Sequence, residues 1–171
     1  MRLDLLTFRK IHLKDAKEYR DALHESQDSV GVFKSGLLEG IGVGKRRVAL
    51  GILAASLDDS YPAENFVLMA GSRLVATGYA VKRENSTWVE IGLWVRKQYE
   101  GQGVGTYMLQ KLRDYALENL ICDGVYLIHE ASNGAMAHMA SKLGFEISEV
   151  NQRSGSGEID KRLIDQDVIS G

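Results

Sequence analysis

The chain has little with which to cross-link itself. Its 171 residues include one cysteine, Cys122, so no internal disulfide can form, and the apolar neighbours of that residue predict a core thiol. The four histidines, His12, His24, His129 and His138, show no zinc-ligand spacing with one another, and no metal is expected. A basic excess is missing as well. With 21 Lys and Arg against 23 Asp and Glu, the net charge of −2 leaves no footprint for nucleic acid or an anionic membrane surface. No apolar run is long enough to span a bilayer, and the first residues do not read as a signal peptide, so a cytoplasmic location is expected. Neither an internal repeat nor a domain linker appears. One domain over residues 1–171 is expected, and 44% hydrophobic residues suffice for a full core.

Periodicity supplies the elements. Leu3 to Arg9 reads as a strand. Ala16, Tyr19 and Leu23 stand at helical spacing and predict a helix from Asp15 to about Leu23. Glycines at 31, 36, 40, 42 and 44 read as a flexible connector between two helices, the second opened by Lys45, Arg46 and Arg47 and running to about Leu57. Gly42-Val-Gly44-Lys45 is not a P-loop, because Glu39 and Arg46 stand where Gly and Ser or Thr belong. Phe66 to Ala70, a Gly71-Ser72 turn and Leu74 to Val81 read as a hairpin, with Thr87–Val95 as a third antiparallel neighbour. Val104, Met108, Leu112 and Tyr115 put an apolar face on the next helix. Val125 to Ile128 reads as a short buried strand. A helix follows from Asn133, capped by Ser132 or Asn133 and stopped by Gly144. Phe145–Val150 and Glu158–Ile164 then pair across the loop at 153–157. This order predicts an α/β (α+β) fold with one mixed sheet covered by helices.

The most informative stretch is Ile91-Gly-Leu-Trp-Val-Arg-Lys-Gln-Tyr-Glu-Gly-Gln-Gly-Val-Gly-Thr106. A strand ends at Val95, a polar loop carries glycines at 101, 103 and 105, and a helix begins. Glycines at such a junction let backbone N–H groups converge with no Cβ in the way, and the first helical turn adds unpaired donors and the positive end of its dipole. The product is a cradle for an anion, most often a phosphate. A P-loop is excluded because no lysine follows Gly105, and the dinucleotide fingerprint fails because Thr106 occupies the place of its third glycine.

The spacing Gln98-x-x-Gly101-x-Gly103-x-Gly105 resembles the pyrophosphate loop of the GNAT acyltransferases, which bind acetyl-coenzyme A there. Asn133-Gly-Ala-Met-Ala-His-Met-Ala-Ser-Lys-Leu-Gly144-Phe145 resembles a second signature of that family, an Asn followed at fixed distance by Gly-Phe. Phe8 to Ala16 resembles the run into the family's first helix. Glu90-Ile91-Gly92-Leu93-Trp94-Val95 is similar to the branch that acetylates N-termini of ribosomal proteins, although Leu93 stands where that branch often has an aromatic residue. The resemblance implies a mostly antiparallel, twisted mixed sheet with a splayed central strand pair, flanked by about four helices. It also implies direct attack of an amine on acetyl-coenzyme A while both are bound.

Site residues follow from the resemblance. Backbone N–H groups of Gly101, Gln102, Gly103, Val104, Gly105 and Thr106 would hold the pyrophosphate, and the Gln98 side chain would assist. Trp94 and Val95 would meet the pantetheine and the acetyl oxygen through their backbone, and Asn133 would bond the pantetheine arm. Glu90 is the one acid within the strand core and stands where several family acids act as base. Its alternative is a solvent-facing or cation-paired residue, with Lys82 or Arg83 as partner. Many members carry a tyrosine acid seven residues after the Asn, and here that position is Ala140. A thiol of pKa about 8.5 can still leave as thiolate.

At pH 7 a lysine amine of pKa about 10.4 is neutral roughly once in two thousand molecules, and an α-amine of pKa about 7.8 roughly once in seven. A site with no clear acid suits the easier nucleophile. The acceptor is therefore expected to be a protein or peptide N-terminus. Small amines such as a polyamine or aminoglycoside, and a non-catalytic acetyl-coenzyme A-binding domain, are the alternatives. No nucleic acid or membrane partner is expected, and the chain would act as monomer or homodimer.

Overall fold

The computed structural model describes residues 1–26, 63–153 and 157–165. The connector and helix expected between residues 31 and 57 lie outside the described residues. Seven strands form one sheet: β1 (Thr7–Lys10), β2 (Ala63–Ala70), β3 (Arg73–Lys82), β4 (Trp88–Val95), β5 (Gly124–Glu130), β6 (Glu146–Arg153) and β7 (Gly157–Asp165). Their spatial order is β1-β2-β3-β4-β5-β7-β6. Three α-helices are described, α1 (Ala16–Glu25), α2 (Val104–Asn119) and α3 (Gly134–Lys142).

Every neighbouring pair is antiparallel except β4 and β5. The exception follows from the chain path. After β4 the backbone climbs through α2 before returning, and such a crossover delivers its second strand parallel to the first. The last hairpin then places β7, not β6, against β5, over seven paired residues from Gly124↔Asp165 to Glu130↔Ile159.

The start of the chain differs from the sequence expectation. Leu3–Leu5 is a 3-10 turn, closed by Leu6 N–H donating to the Leu3 carbonyl at 3.1 Å, and the strand begins only at Thr7. A strand would put Leu3 and Leu6 on opposite faces, because their separation is odd. The turn lets both reach the core, leaving Leu5 exposed instead.

Alternation along β4 sorts its side chains between two cores. Val89, Ile91 and Leu93 join Val125, Leu127 and the Met108, Leu109 and Leu112 face of α2. On the other side Trp94 packs edge-on against Tyr19 of α1, ring centroids 5.9 Å apart, with Val67, Met69 and Leu74 around them. Glu90 and Gly92 share that second face with Trp94, and the side chains described below meet there.

Candidate active site

The ladder between β4 and β5 is short. It holds Trp88↔Gly124, Val89↔Val125 and Glu90↔Tyr126 and goes no further. Each strand stays paired on its outer side, β4 with β3 as far as Val95 and β5 with β7 as far as Glu130. Residues 91–95 and 127–130 therefore face each other across an opening whose inner backbone groups have no strand partner among the described residues. Trp94 and Val95 lie on one of its walls.

At the end of β4 the chain enters the glycine loop. Lys97–Tyr99 forms a 3-10 turn, and Gly101 and Gly103 adopt φ of +70° and +81°, which L side chains rarely take. Gly103 is the N-cap of α2 and offers no side-chain cap. The first bond of the helix is Tyr107 N–H to the Gly103 carbonyl, 3.1 Å. The N–H groups of Val104, Gly105 and Thr106 precede it and have no acceptor within the helix. Gln102 donates from Nε2 to the Gln98 carbonyl at 2.9 Å and braces the loop. A Cβ on Gly105 would stand 2.5 Å from the Met139 sulfur, so α3 lies directly on the first turn of α2. Asn133 begins α3 and caps it, its Oδ1 accepting from Met136 N–H at 3.0 Å. Ala140 is fully buried.

The Gln98 side chain is oriented by an arginine that the sequence did not point to. Its amide oxygen accepts from Arg73 Nε and Nη2 at 3.3 and 3.2 Å, in the orientation its neighbours select. Arg73 opens β3, and the β2–β3 hairpin thus brings a positive charge to the loop. Arg96 is a second such residue. It is 1% exposed, and its guanidinium donates to Glu25 at 2.7 and 2.6 Å, to Glu18 at 2.5 Å and to the Leu74 carbonyl at 3.2 Å. Beside it, Lys97 N–H donates to Ser26 Oγ at 3.0 Å. The end of α1 is fastened to the residues immediately ahead of the loop.

Glu90 stands on the opposite face of β4 from α2, beside the point where the β4–β5 ladder stops. Tyr79 donates to its Oε1 at 2.9 Å and Tyr126 to its Oε2 at 3.1 Å. Arg83 donates to the same Oε2 from Nη2 at 2.8 Å and Nε at 3.3 Å. Of the two cations weighed as partners, Arg83 is the one that pairs. Lys82 lies in register with Val89, on the other face, and reaches the Ile121 carbonyl instead. Burial, followed by the negative charge of Glu90, pushes the hydroxyl pKa of both Tyr79 and Tyr126 upward, so both keep the protons they donate. The Tyr79 ring lies over Gly92, where an added Cβ would meet ring atoms at 2.6 and 2.7 Å. Only a glycine at 92 leaves Tyr79 room to reach Glu90.

A third polar group lies beside α3. Arg162 of β7, 7% exposed, donates from Nε to His129 Nε2 at 2.9 Å and from Nη1 to Ser141 Oγ at 3.1 Å. The other ring nitrogen of His129, Nδ1, lies 2.8 Å from the Glu130 carbonyl. Among the described residues, no group of three or more His, Cys, Asp or Glu could hold a metal ion, and no helix is long and apolar enough to cross a membrane.

A strand pair that splays ahead of a glycine turn and a helix N-terminus without a side-chain cap is the architecture of an acetyl-coenzyme A-dependent N-acetyltransferase. Residues 6–146 match the acetyltransferase (GNAT) domain, and the chain belongs to that family. Solved structures agree on the fold. Spermidine N-acetyltransferase from Vibrio cholerae, in complex with CoA and spermine, superposes with a TM-score of 0.79 at 14% identity, over 98% of this chain and 99% of that one. Ribosomal-protein-S5-alanine acetyltransferase from Vibrio fischeri gives 0.76 at 13% identity, over 95% and 93%. An acetyltransferase of the GNAT family from Streptococcus pneumoniae gives 0.73 at 16%, over 93% and 98%. No curated protein sequence matches the chain.

Proposed function

We propose that this chain moves the acetyl group of acetyl-coenzyme A to the α-amino group of a peptide or protein, in the cytoplasm. The observation that carries the reading is the β4–β5 ladder, which ends at Glu90↔Tyr126 and opens onto the glycine loop. The residues present fit the co-substrate. Inner-edge backbone groups of 91–95 and 127–130 match the amides of a pantetheine arm, and the bare N–H groups ahead of Tyr107 match a pyrophosphate. When bound, acetyl-coenzyme A supplies an activated thioester.

The chain's own residues divide the remaining work. Gly101 to Thr106 hold the pyrophosphate through backbone N–H groups, and the Gln98–Arg73 pair adds a donor set and a positive charge at the loop. Val95 turns its backbone N–H to the opening, where a fixed donor stabilises the negative charge developing on the acetyl oxygen. Trp94, opposite Thr77 and two residues before the Arg96 N–H that bonds the Val75 carbonyl, gives its own N–H to β3 and only lines the wall, contrary to the sequence expectation. Asn133 keeps its amide nitrogen for the pantetheine, because its oxygen is used as a cap. Glu90 accepts the proton of the incoming ammonium, directly or through a water. With Ala140 in place of a tyrosine, the sulfur departs as thiolate, which its acidity permits. The α-amine is favoured over a lysine because far more of it is neutral near pH 7.

Two measurements test this. A peptide with a free N-terminus and an internal lysine is compared with its N-blocked twin, and mass spectrometry locates the added acetyl group. The N-terminus should carry it in the first peptide, and the second should stay unmodified. Equal acetylation of the lysine in both peptides would overturn the acceptor assignment. Calorimetry of coenzyme A binding to a folded Gly103→Asp variant should show affinity lost, because a like charge enters the cradle; unchanged affinity would overturn the cofactor site.

A further inference from the structure

We propose that Arg83 selects the acceptor: it binds a carboxylate carried within a few bonds of the amine, and so favours acidic acceptors over polycations. The proposal rests on Glu90 as proton acceptor. It begins from how the Glu90 carboxylate is used. Tyr79 holds Oε1 and Tyr126 holds Oε2, both from neighbouring strands. Arg83 shares Oε2, and whereas the Glu90 side chain is 12% exposed, that of Arg83 is 66% exposed. The tyrosines are part of the sheet face, while Arg83 follows the end of β3 and is open to solvent. An ammonium that reaches Glu90 arrives where the guanidinium stands, and two cations crowded onto one carboxylate oxygen repel each other. Arg83 must therefore move aside.

A displaced guanidinium is an unpaired fork of donors shaped for a carboxylate. An acceptor that brings one exchanges partners without loss: its amine takes the place at Glu90, and its carboxylate takes Arg83. A second cation reinforces the preference. Lys161 of β7 lies on the same face, its Nζ 5.0 Å from the centre of the Tyr126 ring, with Glu149 at 3.7 Å as its own partner. A polyamine approaching Glu90 meets like charge from Arg83 and again from Lys161. The fitting chemistry is an amine with a nearby carboxylate, carried by an acidic side chain early in a peptide or by a free amino acid.

The test compares kcat/KM, at saturating acetyl-coenzyme A, for peptides that differ only in having Asp, Ala or Lys at the second position. Free aspartate and spermidine complete the panel, and Arg83→Ala and Arg83→Glu are compared with the unaltered protein after thermal melts show them folded. The unaltered protein should prefer the Asp peptide over the Lys peptide by about tenfold, mainly through KM; Arg83→Ala should erase most of that ratio and Arg83→Glu should invert it. If Arg83→Glu does not fold, Arg83→Ala alone decides. A ratio that is the same in the unaltered and variant proteins overturns the role of Arg83 and leaves the N-terminal acetylation reading intact. Turnover of spermidine with none of any peptide overturns both. Aspartate outrunning the Asp peptide supports the carboxylate contact and assigns it to a free amino acid, and the reverse order assigns it to a peptide.

Discussion

Arg96 and Glu25 meet head-on, Nε to Oε2 at 2.7 Å and Nη2 to Oε1 at 2.6 Å, across 71 residues of sequence. This two-pronged pairing needs a planar guanidinium, and a lysine cannot reproduce it. Arg96→Lys should cost about 1–3 kcal/mol of stability in urea denaturation, because carboxylates arranged around a buried fork lose their donors. It should also weaken coenzyme A binding several-fold, since Lys97 and Gln98 follow directly.

Two glycine substitutions should differ sharply. At Gly105 an alanine methyl meets the Met139 side chain, which can turn, and a shift of only a few degrees in melting temperature is expected. At Gly78 the same methyl would lie 2.6 Å from the Gly92 backbone carbonyl and 2.6 Å from Leu112 Cδ1. A carbonyl in a paired strand cannot retreat alone. Gly78→Ala should therefore cost several times as much as Gly105→Ala by thermal unfolding.

Asp15 links stability to acid. Arg9 grips both its oxygens at 2.7 and 2.8 Å, and the His12 N–H adds a third bond at 2.8 Å. The Arg9 contact, foremost, holds the carboxyl below its ordinary pKa, against the opposing effect of burial. A lowered folded-state pKa contributes stability that is complete above the unfolded value and lost as pH falls through the folded one. Asp15→Asn should therefore be less stable by about 1.5–3 kcal/mol at pH 7, and the gap should close progressively below about pH 4. Denaturant melts across pH 2–7 would read it.

Glu90→Gln should lower turnover at neutral pH by about a hundredfold or more, with coenzyme A affinity nearly unchanged. Part of the loss should return at high pH, where an α-amine of pKa about 7.8 no longer needs a base. Steady-state kinetics over pH 6–10 would check this, and wild-type rates throughout would remove Glu90 from the reaction.

What the sequence revealed, and what it did not, follows from the range over which each feature acts. The glycine loop, the Asn133 cap and the Gly144 stop, with φ of +84°, are local, and periodicity with turn chemistry predicted them. The 3-10 turn at Leu3 reads as strand in the sequence because an apolar run does not say whether its residues share one core. Tyr79, Tyr126 and Arg73 join the site through strand register, which depends on partners far along the chain. One signal was available: once Glu90 is placed on a strand, Arg83 across the hairpin shares its face and Lys82 does not.

The three-pair seam between β4 and β5 has a consequence for how the protein resists unfolding. Strands β1–β4 and β5–β7 are two blocks that share little ladder. A molecule that fills the gap binds the assembled form and has no comparable site on the opened one. Each tenfold rise in its free concentration above Kd then adds about 1.4 kcal/mol to the assembled state. Resistance to heat and to proteases should thus rise with the concentration of acetyl-coenzyme A.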